Sequence, residues 1–464
     1  MWTGALFALN ALLNLGLALA LAWALPAGAY GAFTVYFAAA LLIGNLSYDW
    51  VRFSAMRFYT PQARATEPGL RVTLDLSLFA STGLALLLAA GMAGSGALPE
   101  ASPAAAAALL AVTGSNAAFE YWTALCRARF DTRRYGVMVA ARNLLTFGLT
   151  VPVAAYTGSF VATLFAFAIA VVPSILYGVV NLADKEARAR LATRTRAAGF
   201  ARYALPLVAA EGCYLLIPVI NRSMLAHGAS LAETGAYALT FDLAFRTLAV
   251  TASVGDAVLF PRLVANLLAQ GAARTREEIA RNIAVMLLVL APAAAGFAFV
   301  AQPAGEILLA EHFRDAFTHY APIAVAAAFA YTLQTYVLRP AFQVESRTGD
   351  MPLAAVAAVL VDLAVMMVMP LGLLAVSFAH LAGLTVGLIL VLWRAIAARL
   401  VDWPLADIGK IAACAAVMSV ALVPLGFEGH AFLTLIARAA CGVAVYGAVG
   451  WFMNAAGLRG LLGR

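Results

Sequence analysis

Two stretches of this sequence carry ionisable side chains where apolar ones are expected. Glu211, Tyr214, Pro218 and Arg222 follow one another at offsets of 3, 7 and 11 residues, and at about 100° per residue they share one stripe of a helix. Asp242, Arg246, Ser253 and Asp256, at offsets of 4, 11 and 14, form a second stripe. Thr3, Asn10 and Asn14 are in phase, as are Thr113, Asn116 and Glu120, and Arg142 and Thr146 lie one turn apart. Each set interrupts a long apolar run. A guanidinium in such surroundings holds carboxylates and phosphates through forked, charge-assisted hydrogen bonds. Asn, Thr and Tyr offer neutral partners to hydroxyl groups, and a carboxylate can carry a proton or Na⁺.

A charge at the centre of a bilayer costs about 2.5–3.5 kcal/mol even on the lenient insertion scale. These residues are therefore expected to face the protein interior or water. Glu211 and Arg246 are the deepest. Asp242 and Arg246 are spaced i, i+4, so that pair can equally be a structural neutralisation. Arg142, Arg222, Asp75 and Asp256 lie nearer the ends of their segments and can snorkel to the interface. Glu120 is within reach of an arginine on the basic side. Asp362 is deep among apolar neighbours, and His380 reads as a satisfied helix histidine. Pro206 and Pro218 bracket Glu211, which makes that segment the candidate bending helix.

The elements that must position these residues are membrane helices. The chain is 64% hydrophobic and 11% charged, far from the balance of a soluble domain. An α-helix needs about 20 apolar residues to cross a bilayer, and hydropathy predicts fourteen such spans at 2–25, 30–48, 72–93, 103–126, 137–157, 160–180, 202–221, 234–258, 282–301, 319–341, 352–374, 376–396, 408–425 and 432–454. The first reads as a retained helix, since it lacks the basic start of a cleaved signal. The fold class is an all-α polytopic membrane protein.

Most of the 30 basic residues fall in every second gap: Arg52, Arg57, Arg64 and Arg71, then Arg127, Arg129, Arg133 and Arg134, then the cluster from Lys185 to Arg202. The series continues with Arg262 to Arg281, Arg339 and Arg347, Arg394 to Lys410, and the tail. The opposite gaps are bare or acidic, as at Glu306, Glu311 and Asp315. Both termini are therefore expected on the cytoplasmic side. The net charge of +7 follows from this bias and from attraction to anionic membrane lipids, with no nucleic-acid partner needed. The longer basic stretches, near 181–201 and 261–281, are expected to form interfacial helices, with Asp184 to Arg190 an amphipathic connector.

The four cysteines, Cys126, Cys213, Cys414 and Cys441, have no metal-ligand spacing and read as apolar fillers. The sequence has no Walker A run, no Gly-x-Ser-x-Gly elbow and no metal-ligand cluster, so neither enzymatic activity nor a cofactor is expected.

Residues 28–41, GAYGAFTVYFAAAL, and residues 235–248, GAYALTFDLAFRTL, match at an offset of 207 residues, and later spans repeat at a similar offset. The expected organisation is a six-helix lobe over 1–181, a basic connector over 182–201, a second six-helix lobe over 202–399 and two appended helices over 400–464. Both copies start on the same side, so the repeat is parallel. Such repeats are characteristic of transporters, with the substrate site at their interface.

Three segments carry a family resemblance: Gly28-Ala29-Tyr30-Gly31 with the exit Asp49-Trp50-Val51-Arg52-Phe53, then Leu259-Phe260-Pro261-Arg262-Leu263, and the run from Ile307 through Phe313 and Ala316. In these the chain resembles the polysaccharide and O-antigen flippases of the multidrug/oligosaccharidyl-lipid/polysaccharide exporter superfamily. The resemblance implies two lobes around a central cavity of alternating access, in the inner membrane of a bacterium. It implies as substrate an undecaprenyl-pyrophosphate-linked oligosaccharide moved to the outer leaflet, alongside other polysaccharide-assembly proteins. Arg246, with Arg142 or Arg222, would hold the pyrophosphate; Asn10, Asn14 and Tyr214 would meet sugar hydroxyls. Glu211 or Asp242 would carry a coupling H⁺ or Na⁺, and the appended helices, with Arg438, would line a groove for the lipid tail. A multidrug or metabolite exporter of the same fold is the alternative, and a membrane enzyme acting on lipid-linked sugars a more distant one.

Overall fold

The computed structural model describes the backbone of residues 2–184, 188–270, 272–344 and 349–462, and side chains from residue 13 onward apart from 185–187, 189, 254, 256–258, 260–275, 343–348, 350 and 461–464. Its fourteen long helices are α1 (Trp2–Ala24), α2 (Ala27–Phe58), α3 (Gly69–Gly94), α4 (Pro103–Ala128), α5 (Thr132–Thr157), α6 (Phe160–Asn181), α7 (Arg194–Gly228), α8 (Leu231–Gln270), α9 (Ala272–Leu308), α10 (Glu311–Thr332), α11 (Asp350–Val368), α12 (Leu373–Ala397), α13 (Leu405–Leu422) and α14 (Ala431–Met453). Among the described residues, eleven helices are long and apolar enough to cross a membrane. Each of the fourteen expected spans overlaps one long helix.

The helices start where short polar side chains can accept from orphan backbone amides. Ser102 accepts from the Ala105 amide, Asp131 from Arg134, Ser159 from Ala162 and Thr193 from Arg196. Gly158, at φ 61°, ends α5 in the left-handed conformation that glycine adopts without penalty.

Several helices outrun their apolar windows on the basic side. Residues past the lipid-crossing part remain good helix formers, so the helix continues into the aqueous layer. The stretch 261–281, expected as an interfacial connector, is instead the end of α8 and the start of α9. The expected amphipathic connector from Asp184 to Arg190 falls partly outside the described residues. Asp184 is tied into the fold, residues 185–187 lie outside the described set, and only a 3₁₀ turn, Ala189–Leu191, follows. The eleventh span, expected to reach 374, stops at Val368 with Met369 extended (ψ 147°), because Pro370 disfavours helical geometry in the residue before it.

The chain divides into two compact units, residues 1–238 with 371–373, and residues 239–370 with 374–464. α7, expected to open the second six-helix lobe, packs along α2 in the first unit. In the first unit the copies of the repeated Gly-Ala-Tyr motif, at the starts of α2 and α8, lie against each other, with Tyr30 and Tyr237 both buried. In the second unit α13 and α14 pack on α9. There Arg438 donates to the carbonyl oxygens of Phe299 and Leu425, both at 2.6 Å, and the Tyr446 hydroxyl donates to Leu288 O at 2.9 Å. α10 runs through a π-helical turn, Leu333–Leu338, where Gln334 Nε2 donates to Leu384 O of α12 at 3.0 Å. Asp362 is fully buried, and the His380 ring stacks on Phe241 at 4.8 Å.

Candidate functional site

A polar cavity of about 210 Å³ opens inside the first unit, lined by Asn14, Arg52, Phe119, Glu120, Arg127 and Arg142 together with Thr123, Tyr135, Val139 and Asn143. Four helices build it. α2 contributes Asn45, Asp49 and Arg52, spaced i, i+4, i+7 and so on one face. α4 contributes Asn116, Glu120, Thr123 and Arg127, again on one face. α5 contributes Tyr135, Arg142 and Asn143, and α1 contributes Asn14. From α7, Glu211 approaches Arg52.

Arg52 is held in place from its own helix. Its Nη2 donates to Asp49 Oδ2 at 2.8 Å, and Asn45 Nδ2 steadies the same oxygen at 3.0 Å. Its guanidinium sits over the Phe53 ring at 4.7 Å. Glu120 Oε2 lies 3.5 Å from Arg52 Nη1, and Glu211 Oε2 lies 3.8 Å from Arg52 Nη2. Across the cavity Arg142 Nη2 donates to Asn116 Oδ1 at 2.9 Å, while its Nη1 lies 3.6 Å from Glu120 Oε1. The Arg142 guanidinium lies over Phe119 at 4.4 Å and is within 5.8 Å of the Phe167 centroid. Glu120 thus sits between two arginines, one facing each of its oxygens.

This arrangement can bind an oxyanion. Three guanidinium groups line the cavity against the single carboxylate of Glu120. Charge-assisted N–H···O bonds are normally about 2.7–2.9 Å long, so the separations of 3.5 and 3.6 Å to Glu120 leave donor capacity on both arginines. Arg52 Nε is buried and meets no acceptor among the described groups. Phosphate oxygens suit such forked donors, and aromatic faces hold the guanidinium planes in position.

The helices around the cavity are closed on the basic side by a second cluster. The Asp184 carboxylate accepts from Arg64 Nε at 2.8 Å, from Arg129 Nη2 at 3.2 Å and from the Tyr59 hydroxyl. Arg129 also donates to Leu182 O at 2.7 Å. Burial alone raises the Asp184 carboxyl. The hydrogen bonds from Arg64 and Tyr59 and the charge of Arg129 outweigh it and hold the group below the usual carboxylate range. Arg71, 4% exposed, bonds Asp75 and Leu182 O and lies over Trp122 at 4.8 Å.

The residues singled out from the sequence are dispersed. Arg142 and Asn14 line the cavity, and Glu211 approaches it through Arg52. Arg142, expected near the end of its segment, turns into the cavity, where it bonds Asn116 and faces Glu120; α5 begins at Thr132, ahead of the apolar window, which places Arg142 within the helix. Arg222 is not at an interface either: it is 5% exposed and donates to Thr34 O at 3.1 Å. Asp75, also expected to snorkel, accepts from Arg71 and from the Tyr121 hydroxyl. Tyr214 is half-buried on α7. Asp242 and Arg246 are half-buried on α8 in the second unit, whereas every residue lining this cavity belongs to the first. Asn10 and Asp256 lie outside the described side chains. Arg52 and Asp49, counted in the sequence as a basic loop and a motif, turn out to be central. Their i, i+3 spacing, in phase with Asn45, was the available signal. Among the described residues, no group of three or more His, Cys, Asp or Glu side chains is placed to hold a metal ion.

No family model matches the sequence, and no curated protein matches it. The fold does have solved counterparts. A lipid II flippase MurJ in an inward closed conformation superposes with a TM-score of 0.74 at 13% identity, covering 99% of both chains. An inward-facing multidrug resistance MATE family transporter of the MOP superfamily gives 0.60 at 16% identity, covering 84% of this chain and 95% of its own. The eukaryotic MATE transporter AtDTX14 gives 0.56 at 12%, covering 85% and 94%. The chain has the helical membrane fold seen in MurJ and in MATE transporters.

Proposed function

We propose that this protein is a flippase for a lipid-linked, diphosphate-bearing saccharide, with the diphosphate held by Arg52 and Arg142 in the cavity of the first unit. The observation that carries the reading is the pair of arginines facing the two oxygens of Glu120 inside a membrane helical unit. A diphosphate is the anionic group such donors fit, and a lipid carrier explains why the site lies within the membrane layer. The match to MurJ spans α13 and α14 at 99% coverage, which favours a lipid-linked substrate over the soluble solutes of an exporter. Asn14, Asn143 and Tyr135 are the neutral polar side chains that line the same cavity and would face sugar hydroxyls.

Within this reading the cargo is an undecaprenyl-pyrophosphate-linked oligosaccharide for surface polysaccharide. It moves from the cytoplasmic to the outer leaflet of a bacterial inner membrane, with the basic side and both termini cytoplasmic. The two six-helix lobes alternate in access, α13 and α14 line a path for the lipid tail, and H⁺ or Na⁺ is the coupling ion. Arg246, with Asp242, is a separate candidate anion contact within the second unit, and normal export by Arg246→Ala would remove it from the proposal. Accumulation of a polyprenyl-linked saccharide in the inner leaflet of cells lacking the protein would support the reading. Drug or metabolite sensitivity without such accumulation would move the protein to the exporter alternative, which the MATE structures favour.

A further inference from the structure

We infer that Glu120 is a tethered competitor for the oxyanion: an incoming anion displaces it from Arg52 and Arg142, and one proton is taken up with the anion, on the freed carboxyl. The inference rests on the proposed reading of those two arginines as the anion's ligands.

The geometry separates Glu120 from the other partners of the two arginines. Asp49 is bonded to Arg52 at 2.8 Å and Asn116 to Arg142 at 2.9 Å. Both are hydrogen bonds of full strength that orient the guanidinium groups. Glu120 meets the same groups at 3.5 and 3.6 Å, ion-pair separations longer than a charge-assisted hydrogen bond. It is therefore the exchangeable partner that the two arginines share; Glu211, at 3.8 Å, meets Arg52 alone and does not line the cavity. Glu120 lines the cavity, with its side chain 28% exposed, so its place is open to an incoming group. A diphosphate oxygen presented to Arg52 and Arg142 would form the shorter bonds that Glu120 does not.

Displacement changes what Glu120 faces. With the anion absent, two guanidinium groups balance it. With the anion bound, those charges are drawn to the ligand. The titratable and charged groups around Glu120 are then Asp49 and Arg52 on α2, Arg127 on its own helix, Tyr135 and Arg142 on α5, Glu211 on α7, and the ligand itself. The ligand and Glu211 bring negative charge, and Asp49 stays bonded to Arg52. A carboxylate gathered with like charges in a poorly solvated cavity binds a proton. The proton comes from the buffer and returns to it when the anion leaves and the arginines return to Glu120. One carboxylate and one proton become one carboxyl.

The test is a calorimetric titration of the full-length purified protein with sulfate, whose charge is constant across the neutral range, in two buffers of different ionisation enthalpy. The pair of buffers counts protons. Wild type should take up about one proton per sulfate, with affinity falling as pH rises. Glu120→Gln, which keeps shape and removes the charge, should bind sulfate about tenfold more tightly, with proton uptake lower by about one per sulfate and a flatter pH dependence. Weaker binding by Glu120→Gln, or an unchanged proton count, would overturn the inference. If that variant melts early, Glu120→Asp serves instead and should bind sulfate more tightly while keeping the proton. Arg142→Gln separates the two failures. Loss of sulfate binding in Arg142→Gln upholds the anion site whatever Glu120 does. Wild-type binding in Arg142→Gln, or no sulfate binding by any form, removes the anion site and the inference with it.

Discussion

Gly31 of α2 and Gly235 of α8 stand backbone to backbone. A Cβ on Gly31 would lie 3.1 Å from the Gly235 nitrogen and 1.8 Å from the Leu231 carbonyl oxygen. The obstacle is backbone, which cannot rotate away as a side chain would. Gly235 opens the second copy of the Gly-Ala-Tyr motif, and Gly31 directly follows the first copy at a position where the second copy has Ala238, so the close crossing of the two helix starts rests on this pair rather than on the repeat itself. Gly31→Ala should destabilise by at least the ~1–3 kcal/mol of an overpacked core, lowering the melting temperature in detergent. Gly44→Ala, on the same helix with nothing within 4 Å of its Cβ, should be neutral.

Gly212 performs a related task beside the cavity. A Cβ there would meet Leu46 Cδ2 at 2.9 Å and Asn45 Oδ1 at 3.1 Å. Asn45 holds Asp49, which holds Arg52. Gly212→Val should therefore push Asn45 aside and weaken sulfate or pyrophosphate binding severalfold, with a smaller loss of melting temperature than Gly31→Ala. Retained anion affinity in Gly212→Val would show that Arg52 does not depend on this chain of contacts.

The Asp184 cluster gives a dependence on acid. Its folded carboxyl lies below the ordinary carboxylate range. A group depressed in this way contributes stability above its unfolded pKa of about 3.9 and loses that contribution as pH falls through the lower folded value. Asp184→Asn should cost about 1–3 kcal/mol near neutral pH, and the difference from wild type should close below about pH 4. Melting curves of both forms across that range test this. A difference that persists unchanged into acid would contradict it.

The fold was legible in the sequence because the physics of a bilayer is simple: about 20 apolar residues make a span. All fourteen helices were found this way, and Pro370 could have corrected the end of α11. The candidate site was only half legible. Helical phase brought out Asn116 and Glu120 on α4, and Arg142 on α5, because polar residues in apolar runs stand out. It missed Arg52 as a site residue, since an arginine just past an apolar window looks like a loop charge. Only the length of α2, which carries on to Phe58, turns that loop into a helix face beside Glu120. Glu211 and Arg246 stand out in the sequence by depth, and depth does not say which partners a side chain meets.

Replacing the arginines tests the site itself. Arg142→Gln keeps a hydrogen-bonding group for Asn116 but loses the charge facing Glu120, and Arg52→Gln does the same against Asp49. Each should reduce transport at least tenfold while leaving the protein folded and inserted, as judged by melting and by yield from membranes. Glu120 keeps Arg52 as a partner when Arg142 is replaced, so the double variant Arg142→Gln with Glu120→Gln should melt like Arg142→Gln and remain inactive in transport.

The most direct test of the central claim is a flipping assay in proteoliposomes containing a polyprenyl-diphosphate-linked oligosaccharide, read by the fraction of sugar reached by an impermeant modifying reagent over time. The account predicts that wild type moves the lipid between leaflets and that Arg52→Gln and Arg142→Gln, equally reconstituted, do not. Absence of movement by wild type, or movement by both variants at the wild-type rate, would contradict it.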